Sequence, residues 1–260
     1  TYAEEIKRAE YAHGLQGEVE RNAFKLRGIL NGIDVKSYDP ATDPALFAPY
    51  SAENPAGKEI CKAELQKMLG LPVRENVPVV AMISRLVAHK GLDLVRASIE
   101  ELLADDVQFV LLGTGDSEYE SYFKDLANRY KGKAVSIIAF NGDLSRKIYS
   151  GADIFLMPSK SEPCGLSQMI ASRYLTVPVV RETGGLYDSI KPYGAGGNGF
   201  TFAAYNAGDM LYVLREAVSL YKNKPEWQKL MIKAGTTDFS WQRSAEEYKK
   251  LYTDTLALLK

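Results

Sequence analysis

The chain has 260 residues, enough for one large domain or for one domain with pieces of another. Its 32 Lys and Arg residues balance 33 Asp and Glu residues to a net charge of -1, which argues against a broad nucleic-acid surface or a polybasic membrane patch. Hydrophobic residues make up 46% of the chain, an ordinary share for a globular protein, and no apolar stretch is long enough to predict a membrane helix.

The cysteines and histidines are too few and too far apart to indicate a metal site or a disulfide framework. Cys61 and Cys164 form no CxxC pair, and His13 and His89 are widely separated. We therefore expect no metal. The lack of a signal-like N-terminus predicts a cytoplasmic protein, or a stromal one if it comes from a plant. Because the first residue is Thr1 rather than Met, we expect a fragment or a processed chain.

The first part of the chain predicts little regular structure after an initial helical stretch. Residues 26–34 end like a strand that enters an Asn-Gly turn, and residues 38–57 are Pro-rich and irregular, as in a linker. The first clear helix covers residues 58–69, where apolar residues recur at helical spacing. Gly70 and Pro72 then provide helix-end signals.

From there to residue 221, strand-like and helix-like segments alternate, which predicts an α/β fold with a doubly wound, Rossmann-like parallel sheet. The expected strands are 79–83, 107–112, 135–139, 154–157, 177–180 and, shorter, 199–202. The expected helices are 91–103, 118–130, 144–150, 166–174, 186–190 and 209–221. The first five strands each end in a polar or Gly-rich turn. In a parallel sheet these turns share one edge, so they predict a site for a large polar ligand that carries phosphate.

The turn after the fourth expected strand carries the most chemistry. Ser159, Lys160, Ser161 and Glu162 supply two hydroxyls, a cation and a carboxylate, and Gly165 is the expected start of a helix. A carboxylate there can orient sugar hydroxyls, and free N–H groups at a helix N-terminus can hold phosphate. Taken alone, the segment fits equally well an ordinary loop with a capping Ser and a solvated Glu.

Two other strand-ending turns also allow more than one interpretation. Gly113 and Gly115 follow the second strand, but the dehydrogenase fingerprint needs a glycine where Glu118 stands, which disfavours nicotinamide binding. Phe140 follows the third strand and is either a stacking platform for a nucleotide base or an ordinary core residue. Beyond the last expected strand, Ser240 is placed to cap a helix over 241–259 with a largely apolar stripe.

These motifs resemble those of bacterial glycogen synthases and plant starch synthases, retaining glucosyltransferases with two Rossmann-like domains. The resemblance runs from Tyr2-Ala3-Glu4-Glu5-Ile6 to Phe239-Ser240-Trp241. Its most specific part is the pair Glu162-Pro163-Cys164-Gly165-Leu166 and Thr183-Gly184-Gly185-Leu186. Nothing in this sequence matches the Lys-x-Gly-Gly-Leu loop of the family's N-terminal domain; Thr183-Gly184-Gly185-Leu186 is its counterpart in the second domain.

The resemblance therefore implies a particular domain organisation. Residues 1–40 would be a remnant of the N-terminal domain with the interdomain segment, and 41–240 would be the nucleotide-sugar-binding domain. Residues 241–260 would form a helix that returns to the missing N-terminal domain. A chain of this kind is expected to bind the donor nucleotide and to be inactive alone.

The resemblance also implies an activity: transfer of glucose from ADP-glucose to an α-1,4-glucan with retention, without a cofactor. Arg85 and Lys90 would serve the diphosphate, Glu162 would face the glucose, and Asn31 would face the interdomain cleft. The other implied donor-binding residues are Gly113, Gly115, Phe140, Ser161, Cys164, Gly165, Leu166, Thr183, Gly184 and Gly185.

Two points of this interpretation have alternatives. Ile170 stands where the wider retaining-transferase pattern has a second Glu, so a mechanism with two glutamates is doubtful. A UDP-sugar transferase of the sucrose-synthase-like group is the runner-up, although Glu-Pro-Cys-Gly in place of Glu-x-Phe-Gly argues against it. A non-catalytic nucleotide- or glycan-binding module is the other alternative, and Arg85, Lys90 and Glu162 disfavour it.

Overall fold

The computed structural model describes residues 1–194 and 196–258; Ala195 and the last two positions, which include the end of the expected C-terminal helix, lie outside it. A parallel sheet with the strand order β3-β2-β1-β4-β5-β6 forms the centre of the chain. Its strands are β1 (Val79–Ile83), β2 (Gln108–Leu112), β3 (Ala134–Ile137), β4 (Ile154–Met157), β5 (Val177–Arg181) and β6 (Phe200–Phe202).

Helices precede, connect and follow the strands. They are α1 (Tyr2–Glu5), α2 (Ala9–Ala12), α3 (Gln16–Arg21), α4 (Ala56–Met68), α5 (Leu92–Ala104), α6 (Ser117–Arg129), α7 (Gly142–Gly151), α8 (Ser167–Arg173), α9 (Gly184–Ser189), α10 (Ala207–Tyr221), α11 (Lys224–Gly235) and α12 (Trp241–Ala257). In the part of the chain described, no helix combines the length and the apolarity that crossing a membrane requires.

Both faces of the sheet are covered, which explains why its central strands are continuous apolar runs. On β1, Val80 and Met82 belong to the core shared with α5, α6, α10 and α11. Val79 and Ala81 belong to the opposite core, shared with α4, α7, α8 and α9. Successive side chains point to opposite faces of a strand, so β1 supplies both cores at once.

The expected doubly wound parallel sheet is confirmed, and the expected strands and helices between residues 58 and 221 end within about two residues of those observed. Helix α11 was missed, although Asn223 and Pro225 give a start signal and Trp227 and Leu230 supply its buried side. Helix α11 directly follows α10, and this breaks the alternation of strands and helices on which the prediction relies.

Two expectations for the first part of the chain are wrong. Residues 26–34 form no strand; among the described residues their one β contact is the bridge between Ile33 and Ser240. A strand needs a neighbour to take up its backbone groups, and one isolated bridge does not supply that. The segment 38–57 is no free linker, because the buried Asp43 carboxylate pairs with Arg146 at 2.8 Å and Tyr50 is 3% exposed.

Buried lysines of α4 hold the amino edge of the sheet. Lys62 Nζ lies 2.8 Å from Asp153 Oδ2, and the same carboxylate oxygen accepts the backbone N–H of Val79 at 2.8 Å. Lys62 also donates to Val77 O at 2.7 Å and to the Tyr221 hydroxyl at 2.6 Å. Because Asp153 directly precedes β4 and Val79 begins β1, this pair ties the starts of the two central strands together.

Lys58, one turn earlier on α4, closes the ends of two helices. Its Nζ donates to Ser150 O at 3.1 Å in the last turn of α7, to Tyr174 O at 2.9 Å just beyond α8, and to Thr176 Oγ1 at 2.8 Å. The partial negative charge of the two helix C-termini favours a cation at this point. Burial acts the other way and lowers the pKa of Lys58 to about 7.

Replacement of Lys58 by Met should destabilise the chain, because the methionine fills the space but removes the charged donor from two helix-end carbonyls, which keep only the Tyr50 hydroxyl at 2.8 Å from Tyr174 O and 3.5 Å from Ser150 O. We expect Lys58→Met to lower the free energy of unfolding by about 1.5–3 kcal/mol, the scale of losing hydrogen bonds from a charged donor. Lys67→Met is the matched control, since Lys67 lies on the same helix, is exposed and pairs only with Glu64. Urea denaturation of both variants measures the difference, and equal losses would contradict the role given to Lys58.

Candidate functional site

The site is built where the strand order reverses. β1 and β4 are hydrogen-bonded neighbours, yet β1 continues along the chain to β2 on one side and β4 to β5 on the other. In open parallel sheets a crevice forms at the carboxyl edge of such a pair, because the helices that follow the two strands cover opposite faces of the sheet, as α5 and α8 do. Here those loops are 84–91 after β1 and 158–166 after β4, and they carry the predicted residues Arg85, Lys90 and Glu162.

The two loops approach each other so closely that one position admits only glycine. Gly91 has a φ of 75°, and a Cβ at this position would overlap Pro158 O in the opposite loop. Beside this contact, Lys160 N–H donates to His89 O at 2.9 Å. The backbone of the β4 loop is therefore placed directly by the backbone of the β1 loop.

Lys90 and Glu162 meet across this junction. Lys90 Nζ lies 2.5 Å from Glu162 Oε2, and Ser159 Oγ donates to the same oxygen at 3.1 Å. The two charged side chains are only 16% and 10% exposed. The other oxygen, Glu162 Oε1, has no hydrogen bond within the described residues and is not sealed from solvent, so it is free to accept one from a ligand.

The crevice also carries positive charge. Arg85 is exposed, and its guanidinium makes no hydrogen bond or ion pair with any residue that the structure describes. Partial burial, together with the neighbouring Lys90 and Arg85, lowers the pKa of His89. Because Lys90 is paired with Glu162 and His89 is neutral, the net positive charge of these groups comes from Arg85, and it suits a phosphate-bearing ligand.

The predicted Gly113 and Gly115 are required for packing. A Cβ at Gly113 would overlap Ser84 O, and one at Gly115 would overlap Leu86 O. The loop after β2 continues the parallel pairing through the bridge between Leu86 and Gly115. These glycines thus let the β2 loop support the segment that bears Arg85.

Phe140 is not a core residue: its side chain is 97% exposed at the carboxyl end of β3. Asn141, which follows it, caps α7 by accepting Leu144 N–H at 2.9 Å. The aromatic ring is therefore presented at the same edge of the sheet as Arg85, with an open face for stacking.

The Thr183-Gly184-Gly185 turn differs from what its glycines suggested. Its N–H groups already have protein acceptors: Thr183 donates to Arg181 O, Gly184 to Glu5 Oε1 and Gly185 to Glu162 O, each at 2.9 Å. A phosphate would reach them only by displacing these partners. Sequence reasoning assigned no role to Glu5, although it lies in one of the motifs quoted above.

The turn after Glu162 has the free donors instead. The N–H groups of Gly165, Leu166 and Ser167 find no acceptor among the described residues, and they precede or begin α8. Gly165 has a φ of 66°, a left-handed conformation that glycine adopts without strain. Ser161 lies half-buried in the same loop. Together with Arg85 and Lys90, these N–H groups form an arrangement that can hold an anion.

Cys164 lies in this turn beside the predicted interdomain residue Asn31. Burial raises the pKa of the Cys164 thiol, and a hydrogen bond from the Asn31 backbone only partly opposes the effect. The thiol is therefore uncharged near neutral pH and lines the site rather than reacting in it. In the part of the chain described, no three His, Cys, Asp or Glu side chains come together as metal ligands do.

Comparison with known proteins gives a consistent picture. Residues 67–237 match a family model described as glycosyl transferases group 1. Glycogen synthases of Desulforamulus reducens and Clostridium acetobutylicum are 48% and 49% identical to the chain, and each match covers 98% of the chain and 54% of the relative. The catalytic domain of starch synthase IV from Arabidopsis thaliana, bound to ADP and acarbose, has a TM-score of 0.93 at 38% identity, over 99% of this chain and 54% of that one. The chain spans about half the length of these relatives.

Gly91 offers a test of how the two loops are placed. Gly70 has a similar φ, 69° against 75°, but no atom lies within 4 Å of its Cβ position. Gly70→Ala should therefore cost only backbone strain, about 1–2 kcal/mol. Gly91→Ala should cost about 1–3 kcal/mol more, because Pro158 O must also move. Urea denaturation measures both, and an equal loss would show that the loops do not depend on this close approach.

Proposed function

The chain belongs to the group 1 glycosyltransferases, as a relative of the glycogen and starch synthases, and we propose that it forms the donor-binding part of an enzyme that transfers glucose from ADP-glucose to the non-reducing end of an α-1,4-glucan with retention. The observation that carries the proposal is the placement of Arg85, Lys90 and Glu162 around one crevice at the strand-order reversal.

The charges in the crevice suit the loss of a diphosphate. As the bond from the anomeric carbon to the diphosphate breaks, negative charge builds on the phosphate oxygens and positive charge on the sugar. Arg85 and Lys90 would stabilise the leaving group, Arg85 with two parallel N–H donors and Lys90 as a point charge. The free N–H groups of residues 165–167 supply further donors without a metal ion.

Glu162 is assigned to the sugar. Lys90 and Ser159 hold Oε2, so the carboxylate has a defined orientation, while Oε1 can accept a hydroxyl of the glucose. Ile170 stands where a second glutamate would be, and it is 7% exposed and part of the core. We therefore assign one carboxylate to this part of the site, as an orienting group beside the reacting carbon.

The nucleotide would extend from the phosphates toward β3. Phe140 is the exposed aromatic ring at that end of the edge, and we propose that the base stacks on it. Gly113 and Gly115 shape the floor beneath, and Asn31 with Cys164 closes the other side. The bound ADP in the starch synthase IV structure supports an adenine nucleotide as the ligand.

The proposal extends to the parts that frame this domain. Helix α12 is buried only at Ser244, while Trp241, Tyr252 and Leu256 are 48%, 62% and 62% exposed. We propose that residues 241–260 return to an N-terminal domain of the same enzyme, that residues 1–40 belong to its edge, and that 41–240 bind the nucleotide sugar. The glucan acceptor would lie between the two domains, so the 260 residues alone should bind ADP without transferring glucose.

Calorimetric titration tests this function: ADP should bind the chain, and UDP should bind more weakly.

Arg85→Ala should weaken ADP binding and lower turnover of the complete enzyme by roughly 100–1000-fold, the usual scale for one preorganised charge-stabilising donor. Lys90→Ala should act similarly. Arg129→Ala is the control, because Arg129 is an exposed guanidinium that pairs with Glu100 and Asp125 at the end of α6, at the opposite edge of the sheet from the crevice. Losses below about fivefold for both Arg85→Ala and Lys90→Ala would move the diphosphate elsewhere.

Glu162→Gln separates the sugar from the nucleotide. Glutamine keeps the shape of the side chain and an acceptor for Lys90 and Ser159, but it cannot stabilise positive charge on the sugar. We expect ADP affinity to change by less than about threefold, while turnover of the complete enzyme falls by roughly 100-fold or more. Parallel titration and glucose-transfer assays give the two numbers, and an equal loss in both would give Glu162 a phosphate-binding or structural role instead.

A further inference from the structure

Glu5 is a buried carboxylate with no role yet in the proposed transfer of glucose. It ends α1 and is 7% exposed. Its Oε1 accepts the backbone N–H of Gly184 at 2.9 Å and the hydroxyl of Thr183 at 3.0 Å, so the two contacts join positions 179 and 178 residues apart. A carboxylate from the first residues thus lies at the start of α9, beside the crevice.

The Glu5 carboxylate is held by neutral hydrogen-bond donors rather than by a cation. Among the described residues no Lys, Arg or His forms an ion pair with Glu5, and its second oxygen, Oε2, is buried without a hydrogen bond. Burying a charged group without a cation is costly. The N–H and hydroxyl donors, together with the positive end of α9, are what the structure offers to offset that cost.

The loop that Glu5 contacts is packed against the backbone of Glu162. Gly185 N–H donates to Glu162 O at 2.9 Å, and a Cβ at Gly184 would overlap the same carbonyl oxygen. A Cβ at Gly185 would likewise overlap Cys164 O. Residues 183–185 therefore lie between Glu5 on one side and the Glu162 turn on the other, in direct contact with both.

We propose that Glu5 is a positioning residue of the donor site. Through Thr183 and Gly184 it holds the loop that fixes Glu162. The position of the N-terminal segment thereby determines the orientation of the Glu162 carboxylate at the sugar. This explains why the N–H groups of that loop serve protein acceptors rather than phosphate. The link to glucose transfer rests on the proposed function, whereas the mechanical coupling does not.

Amide hydrogen exchange of the ligand-free protein tests the coupling directly. Glu5→Ala should speed exchange of Gly184 and Gly185 by about tenfold or more, the scale of losing the two hydrogen bonds. Exchange in strand β2, three places from β5 in the sheet, should stay unchanged. Glu5→Gln should retain most of the protection, because its amide oxygen can accept both bonds. Glu4→Ala is the matched control, since Glu4 is the exposed neighbour that pairs with Lys7.

Glucose transfer by the complete enzyme supplies the second measurement. Glu5→Ala should lower kcat by about tenfold, with ADP affinity changed by less than about threefold, because the displaced group acts on the sugar. Glu5→Gln should recover most of the loss. Unchanged exchange at Gly184 in Glu5→Ala, or a uniform change that includes β2, would overturn the coupling. A wild-type protein that binds no ADP would sink the proposed function, while the exchange data would still decide on Glu5.

Discussion

The two central strands are held together at both ends by a lysine and a carboxylate, and the rest of the structure depends on that arrangement. At the amino edge Lys62 pairs with Asp153, whose carboxylate also accepts the first N–H of β1. At the carboxyl edge Lys90 pairs with Glu162 where the following loops touch. Because the strand order reverses between β1 and β4, these contacts set the spacing on which the crevice depends.

Low exposure alone does not distinguish the two pairs; their remaining hydrogen bonds do. Lys62 also donates to Val77 O and the Tyr221 hydroxyl, so its polar capacity is used within the protein. Glu162 keeps one oxygen free at the crevice, and the neighbouring Arg85 is unpaired among the described residues. A lysine whose donors are used within the protein holds structure, whereas Lys90 donates, among the described residues, only to Glu162 and can also serve a ligand beside Arg85.

Glycines act on this site in two different ways. Gly91, Gly113 and Gly115 allow one loop backbone to lie against another, and this close packing is what aims Arg85 and Lys90. Gly165 instead adopts a left-handed conformation next to N–H groups that have no protein acceptor. The sequence does not distinguish the two kinds. A glycine indicates that a side chain does not fit, but not whether a close contact or a backbone angle is the reason.

The sequence by itself determined the doubly wound sheet, the ends of most of its elements, and the presence of Arg85, Lys90 and Glu162 on strand-ending turns. Periodicity and turn signals are local, and parallel strands necessarily share an edge, so these features need no knowledge of distant contacts. The family membership also followed from short motifs of high specificity.

Only the tertiary structure decided which backbone groups are free and which are taken. The Thr183-Gly184-Gly185 turn seemed ready for phosphate, but Glu5 and the carbonyl of Glu162 occupy its donors. The missing strand at 26–34 and the docking of 38–57 have the same origin. Each depends on whether a residue distant in sequence completes a hydrogen bond or a packing contact. The local sequence does not contain that information.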